Sequence, residues 1–331
     1  EILRCLVGSE MCIRDRKEGK AIVAPKRMRV TYTLTVDTNA VPAGKIIRCW
    51  LPYPRQDQAR QQDVKFISAS EPQYTFSSPE CRHSTLYMEK RAVEGEPTVF
   101  SETFEFTANG EWHNLKPEDV QPYDTTTALY KEYTAEREKH IVFSPRLREL
   151  AAKLTAGETN PYLKAKRIFR WVNDNFPWAS AREYSTIENI PEYVLDNRHG
   201  DCGQVSLLFI TLCRISGIPA HFQSGFMMHP RAWNLHDWAE VYFEGVGWVP
   251  VDQSFGIPAF ARNADEEYFF LGGIDSWRMI VNTDYGMPLQ PEKQYPRSET
   301  VDFQRGEVEW EGGNLYFPQW DYHMDIDYLN Y

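Results

Sequence analysis

Apolar and polar residues alternate from Lys26 to about Asn109. Val30, Tyr32, Leu34 and Val36 interleave with Arg29, Thr31, Thr33 and Thr35, the period of a half-buried strand. Phe100, Phe104 and Phe106 repeat it, with Glu102 on their parity as a flaw. Between them lie the short apolar runs Ile46–Leu51, Val64–Ile67 and Leu86–Met88. Gly, Pro, Asn and Ser separate these runs at the spacing of a small sandwich.

After about Asp124 the period lengthens to that of helices. Ser144-Pro145 is an N-cap followed by proline at the first helical position. Leu147, Leu150, Ala151 and Leu154 then share a face, and Gly157 stops the run. Asn160-Pro161 starts a second helix, whose apolar face is Leu163, Ile168, Phe169, Val172 and Phe176. A short helix over Pro191–Leu195 leads to Gly200-Asp201-Cys202-Gly203-Gln204, and the apolar run Val205–Cys213 follows. Period two then returns in Ala220–Phe226, His236–Phe243 and Trp248–Val251. From about Ala264 the tail is rich in Tyr, Trp, Asp and Pro and shows no clear period. Helices followed by a further helix and antiparallel strands predict an α+β fold.

The length of 331 residues suits two domains, and 42% hydrophobic content is enough to fill a core. A net charge of −11 excludes the concentrated basic surface that nucleic acid requires. With no apolar run of eighteen or more residues, no membrane span is expected.

Residues 1–16 change the cysteine count. Cys5 to Arg16 back-translates to a string resembling a transposase adapter used in sequencing libraries, so this stretch is expected to be non-native. The true N-terminus is then missing and carries no information on a signal peptide. Export to the periplasm or cell surface is the expectation retained. Without Cys5 and Cys12, four cysteines remain: Cys49, Cys81, Cys202 and Cys213. Cys49 and Cys81 could pair in an exported protein, two separately buried thiols being the preferred reading, and no Cys/His spacing suits zinc.

Cys202 carries the chemistry. A thiol between glycines at a helix start meets unpaired N–H groups and the positive end of the helix dipole, which lower its pKa. His236 opens a strand whose residues Ala239, Val241 and Phe243 read as the core face. His236, Trp238, Glu240 and Tyr242 share the opposite face. Asp252 closes the next strand after the turn Glu244-Gly245-Val246-Gly247, placing an Asp–Nδ1 hydrogen bond within reach. Nucleophile, base and orienter follow in the order Cys202, His236, Asp252, the logic of a catalytic triad.

These residues resemble the transglutaminase-like superfamily, whose core is a papain-like cysteine fold. The likeness runs from about Tyr162 to Phe255. It rests on Gly-x-Cys-Gly around Cys202, the helix ending Arg214–Ala220, His236–Val241 and Gly247–Asp252. It implies Cys202 as nucleophile, His236 as general acid/base and Asp252 as orienter. Trp50-Leu51-Pro52-Tyr53-Pro54 looks like part of the β domain that precedes this core in bacterial members. The backbone N–H of Cys202 is one oxyanion donor candidate. Trp178 matches a second donor placement known in the family, and equally fits a plain core tryptophan.

The expected plan is an N-terminal β-sandwich-like domain over 17–124 and a transglutaminase-like core over 125–263, its nucleophile helix packed on an antiparallel sheet. A C-terminal extension over 264–331 is expected to pack on that core. Cys213 is expected in the helix core and His199 in loop packing. The acidic clusters Asp265–Glu267 and Asp321 to Asp327 lack an EF-hand pattern and read as solvated surface. No cofactor or metal is required. The expected activity is cysteine-dependent acyl transfer at an amide bond of a peptide or protein substrate, glycan-linked peptides included. Hydrolysis is favoured by the resemblance. Cross-linking by an amine acceptor, and a non-catalytic peptide- or glycan-binding module with cleft aromatics such as Trp233, Trp238 and Tyr242, stay open. Oligomeric state is left open.

Overall fold

The computed structural model describes residues 23–180, 182–230, 232–259 and 261–330. The expected adapter-derived stretch 1–16, with Cys5 and Cys12, lies outside them. Strands β1 (Val23–Val36), β2 (Ile46–Pro52), β3 (Gln61–Ala69), β4 (Tyr74–Phe76), β5 (Thr85–Arg91) and β6 (Thr98–Trp112) come first. Helices α1 (Ala128–Tyr133), α2 (Pro145–Leu154), α3 (Pro161–Asn175), α4 (Ile190–Asn197) and α5 (Cys202–Ile215) follow. Then come β7 (Ala220–Met227), β8 (Asn234–Phe243), β9 (Gly247–Val251) and the short α6 (Ala264–Glu267). Strands β10 (Gly273–Ile274), β11 (Arg278–Thr283), β12 (Glu307–Trp310), β13 (Gly313–Leu315) and β14 (Trp320–Tyr328) complete the chain. The fold is α+β, as the change of period predicts.

The chain divides into two compact units. One holds Gly110–Gln223 and His236–Ser276; the other holds Pro25–Asn109, Ser224–Leu235 and Trp277–Tyr331. The second unit is a β-sandwich. β3, β6, β1 and β14 form one antiparallel sheet; β13, β12, β2, β5 and β4 form the other. Val30, Tyr32, Leu34, Phe104 and Phe106 from the first sheet share one buried cluster with Ile47, Cys49, Leu51, Leu86, Met88 and Val308 from the second. Burying these alternate positions is what stabilises paired sheets whose other faces are polar.

The tail departs from expectation. Trp277–Tyr331 folds with the β unit, and β14 pairs along β1 from Met28↔Tyr328 to Val36↔Trp320. The reason is a period-two pattern that its acidity obscures. Trp320, Tyr322, Met324, Ile326 and Tyr328 alternate with Asp321, His323, Asp325 and Asp327, and those four polar residues are exposed. Charged residues on the open face of an edge strand also discourage further pairing.

The helical unit is organised around α5, on which α2, α3 and α4 pack. Every residue from Gly203 to Arg214 is buried, so this helix forms the centre of its unit. The start signals act as read: Ser144 accepts from the Leu147 N–H and Asn160 from the Leu163 N–H. Phe169 of α3 meets Phe209 of α5 edge-on, and Cys213 is fully buried. β8 and β9 pair antiparallel from Phe243↔Gly247 to Ala239↔Val251. Gly245 and Gly247 both take positive φ in the intervening turn, a conformation that favours glycine.

Candidate active site

Cys202 is the first residue of α5. Asp201 caps the helix: its Oδ1 accepts from the Gln204 N–H at 3.1 Å, and the Gln204 side chain returns to the Asp201 N–H. This capping box fixes where the helix begins and so where the thiol stands. His236 and Asp252 meet as the hairpin register requires. Extending the pairing one step past Ala239↔Val251 sets Asp252 opposite Trp238, diagonal to His236 on the same face.

His236 Nε2 lies 2.7 Å from Asp252 Oδ2, with the histidine 4% and the aspartate 0% exposed. The sequence reading named Nδ1; the structure places Nε2 there instead. The diagonal separation is spanned by the ring's far nitrogen. The second Asp252 oxygen accepts from the Phe255 N–H at 3.0 Å. Phe255 meets the imidazole edge-on at 5.1 Å, and Trp238 stacks beside it at 5.9 Å. The Trp238 indole is itself held, donating to Gln223 at 2.6 Å, and Gln223 donates to Glu240 at 3.0 Å. The imidazole is therefore fixed in position by one charge and two rings.

The thiol's surroundings differ from expectation. Cys202 is half-buried, and its Sγ donates to Asp237 Oδ2 at 3.4 Å. Burial, then the carboxylates of Asp237 and Asp201, push this thiol well above its ordinary range. Tyr184 ties the two acids together: its hydroxyl is 2.7 Å from Asp201 Oδ1 and 3.2 Å from Asp237 Oδ2. Burial raises the Asp201 carboxyl to about 6. Gly203 is required by this packing, since a Cβ there would lie 2.5 Å from the Tyr184 hydroxyl and 2.7 Å from Asp237 Oδ2.

Sequence reasoning missed Asp237, Tyr184 and the second role of Asp201. A signal for Asp237 existed. It shares strand parity with Ala239, Val241 and Phe243, an acid on a face otherwise apolar, and such a mismatch marks a partnered group. Asp201-x-x-Gln204 also reads as a capping box.

Other expected residues are placed as follows. Trp178 precedes the nucleophile segment and bridges to Gly200 in parallel, with the Ala179 N–H donating to the Gly200 carbonyl at 3.1 Å. Its side chain is 58% exposed, so it is no core tryptophan. Trp238 is fully buried and cannot line an open cleft. Trp233 belongs to the β unit and is half-buried against that core. His199 bonds the Asn197 carbonyl at 2.9 Å, a loop contact, and His221 pairs with Glu240 at 3.0 Å. In the acidic cluster Asp265–Glu267, Glu266 is buried and engaged by Arg262 and Asn263 rather than solvated. Cys49 and Cys81 are free thiols.

Residues 148–253 match the model of the transglutaminase-like superfamily. This segment belongs to that superfamily. The match covers α5, β8 and β9 with Cys202, His236 and Asp252. A candidate cysteine protease from Cytophaga hutchinsonii has the same fold, with a TM-score of 0.58 at 16% identity over 93% of this chain and 92% of that one. An uncharacterized protein of Haemophilus influenzae is 24% identical over 260 residues, 67% of this chain and 68% of its own. The uncharacterized protein YebA of Bacillus subtilis is 27% identical over 140 residues. That alignment covers 36% of this chain, which spans about a fifth of YebA (19%). Among the described residues no helix is long and apolar enough to cross a membrane.

Proposed function

We propose that the transglutaminase-like core catalyses cysteine-dependent acyl transfer at an amide bond, with hydrolysis of a peptide or amide as the favoured outcome. The observation that carries this is the buried His236–Asp252 pair at 2.7 Å, in the unit whose central helix opens with Cys202. Asp252 holds Nε2 and stabilises an imidazolium, and we assign Nδ1 as the nitrogen that takes the thiol proton. The Cys202 sulfur then attacks the carbonyl carbon. The imidazolium returns its proton to the departing amine, and a thioester remains on Cys202. Water releases the acid and frees the thiol; an amine in place of water gives cross-linking.

The oxyanion formed at attack needs donors about 3 Å away. The Cys202 N–H and the exposed indole of Trp178 are the candidates we assign. The Cytophaga hutchinsonii relative favours the peptidase outcome over cross-linking, because its name gives it as a candidate cysteine protease.

Profiling against a peptide and amide library, with and without a primary amine, tests both choices. Cys202→Ala should abolish turnover and acyl-enzyme formation while the circular dichroism spectrum stays unchanged. Full activity in that variant refutes the nucleophile. Amine incorporation outpacing hydrolysis reassigns the outcome to cross-linking.

A further inference from the structure

We propose that Asp237 is a positioning residue that holds the Cys202 proton and, through the Tyr184 bridge to Asp201, sets the pH at which the nucleophile ionises. The inference rests on the reading of Cys202 as nucleophile. It adds a regulatory layer that the triad alone does not contain.

Three observations carry it. The thiol donates to Asp237 at 3.4 Å, so the free site holds its proton between sulfur and carboxylate. Asp237 is 2% exposed, which leaves little water to screen its charge from the sulfur. The packing is also built around this contact. Tyr184, 7% exposed, spans Asp201 and Asp237 with one hydroxyl, and Gly203 leaves room for that hydroxyl and for the Asp237 oxygen.

One hydroxyl proton serves two carboxyls. While Asp201 is protonated, the Tyr184 hydroxyl is free to donate to Asp237 and share its charge. Once Asp201 ionises, the shorter contact draws the hydroxyl toward Asp201, and Asp237 turns its charge on the thiol. The titratable groups facing this cluster are Asp201 at the start of α5, Tyr184 from the preceding segment and Asp237 on β8. Glu183 adds to the negative field on Asp201, and His236 is the neighbour of Asp237 along the strand. Thiolate formation thus requires either transfer to the imidazole or relief of the Asp237 charge. Substrate that displaces Asp237 from the sulfur meets the second condition. The arrangement disfavours a reactive thiolate in the unoccupied site.

The test reads the thiol and needs no substrate. Alkylation of Cys202 by iodoacetamide, followed by peptide mass spectrometry across pH, gives its ionisation midpoint. In the wild-type protein the midpoint should lie above the ~8.5 of a free thiol. Asp237→Asn keeps the shape and an acceptor but removes the charge, and should lower the midpoint by about one unit, a tenfold change in the ionisation constant. Tyr184→Phe leaves the ionised Asp201 without its hydroxyl donor, adds to the negative field at the thiol and should raise the midpoint. A wild-type midpoint at or below that of a free thiol overturns the proposal even if Asp237→Asn fails to fold. So does a midpoint in folded Asp237→Asn that is unchanged or higher, or one in Tyr184→Phe that falls. Absence of peptide or amide turnover in the wild type defeats the enzymatic reading without touching this result, so the two failures are separable.

Discussion

In the helical unit each buried aspartate of the site has a partner: Asp252 holds His236 and the Phe255 N–H, and Asp237 takes the thiol and Tyr184. The β unit contains both extremes. Glu307 and Glu309 are fully buried on β12, yet Lys293 and Arg297 approach them, and four backbone N–H groups donate to them. Glu102 is 1% exposed and neither oxygen has a hydrogen-bond partner among the described residues. Burial alone pushes its carboxyl far above the ordinary range. Partners offset part of the cost of burying an acid and fix where its oxygens point. An orphaned acid stays protonated in the core and costs stability.

The comparison breaks most visibly at Asp252. Asp252→Asn removes the charge that stabilises the imidazolium, and kcat/KM should fall by about 10²- to 10⁴-fold. A loss below tenfold in steady-state assays would reduce Asp252 to a structural group, no different in kind from Glu309. Glu102→Met should leave turnover unchanged and stabilise the protein at pH 7 by about 1–3 kcal/mol, the cost of an unsatisfied buried polar group. The pH dependence fixes the sign. Below the unfolded value of ~4.3 the carboxyl is protonated in both states. Above it only the unfolded chain ionises, so the wild type loses stability as pH rises. The gain in urea midpoint should therefore be larger at pH 8 than at pH 4. A gain independent of pH would mean that Glu102 finds a partner in solution.

The same contrast explains what could be read from the sequence. The His236–Asp252 contact was legible because strand parity puts the two residues on one face. The helices were legible from Ser144-Pro145 and Asn160-Pro161, where capping is local chemistry. Contacts between residues far apart in the chain were not. Tyr184 and Asp237 stand fifty-three positions apart, and no periodicity links a segment before α4 to a strand after α5. The β14 strand was missed for another reason. Its alternation is complete, but four polar residues between aromatics looked like solvated surface. The flaw noted at Glu102 was real, and burial gives it an energetic meaning that parity alone could not.

His140 reverses the sign. It is 2% exposed in the helical unit, and its Nδ1 accepts from the Ile190 N–H at 3.3 Å. Burial, with the Lys139 charge beside it, pushes the imidazole down to about 4. Its unfolded value is ~6.5. Between these values the unfolded chain takes up a proton that the folded chain refuses, so stability is full above about 6.5 and falls as pH drops toward 4. His140→Gln removes the titration and keeps a side-chain acceptor for the Ile190 N–H. The variant should lose about 2 kcal/mol less than the wild type between pH 7 and pH 4.5, read from urea midpoints. Glu102→Met compared over the same interval should show the opposite trend, its advantage shrinking toward acid. Parallel trends in the two variants would mean that Glu102 or His140 does not titrate as its burial dictates, and the contrast drawn from Glu102 would fail with it.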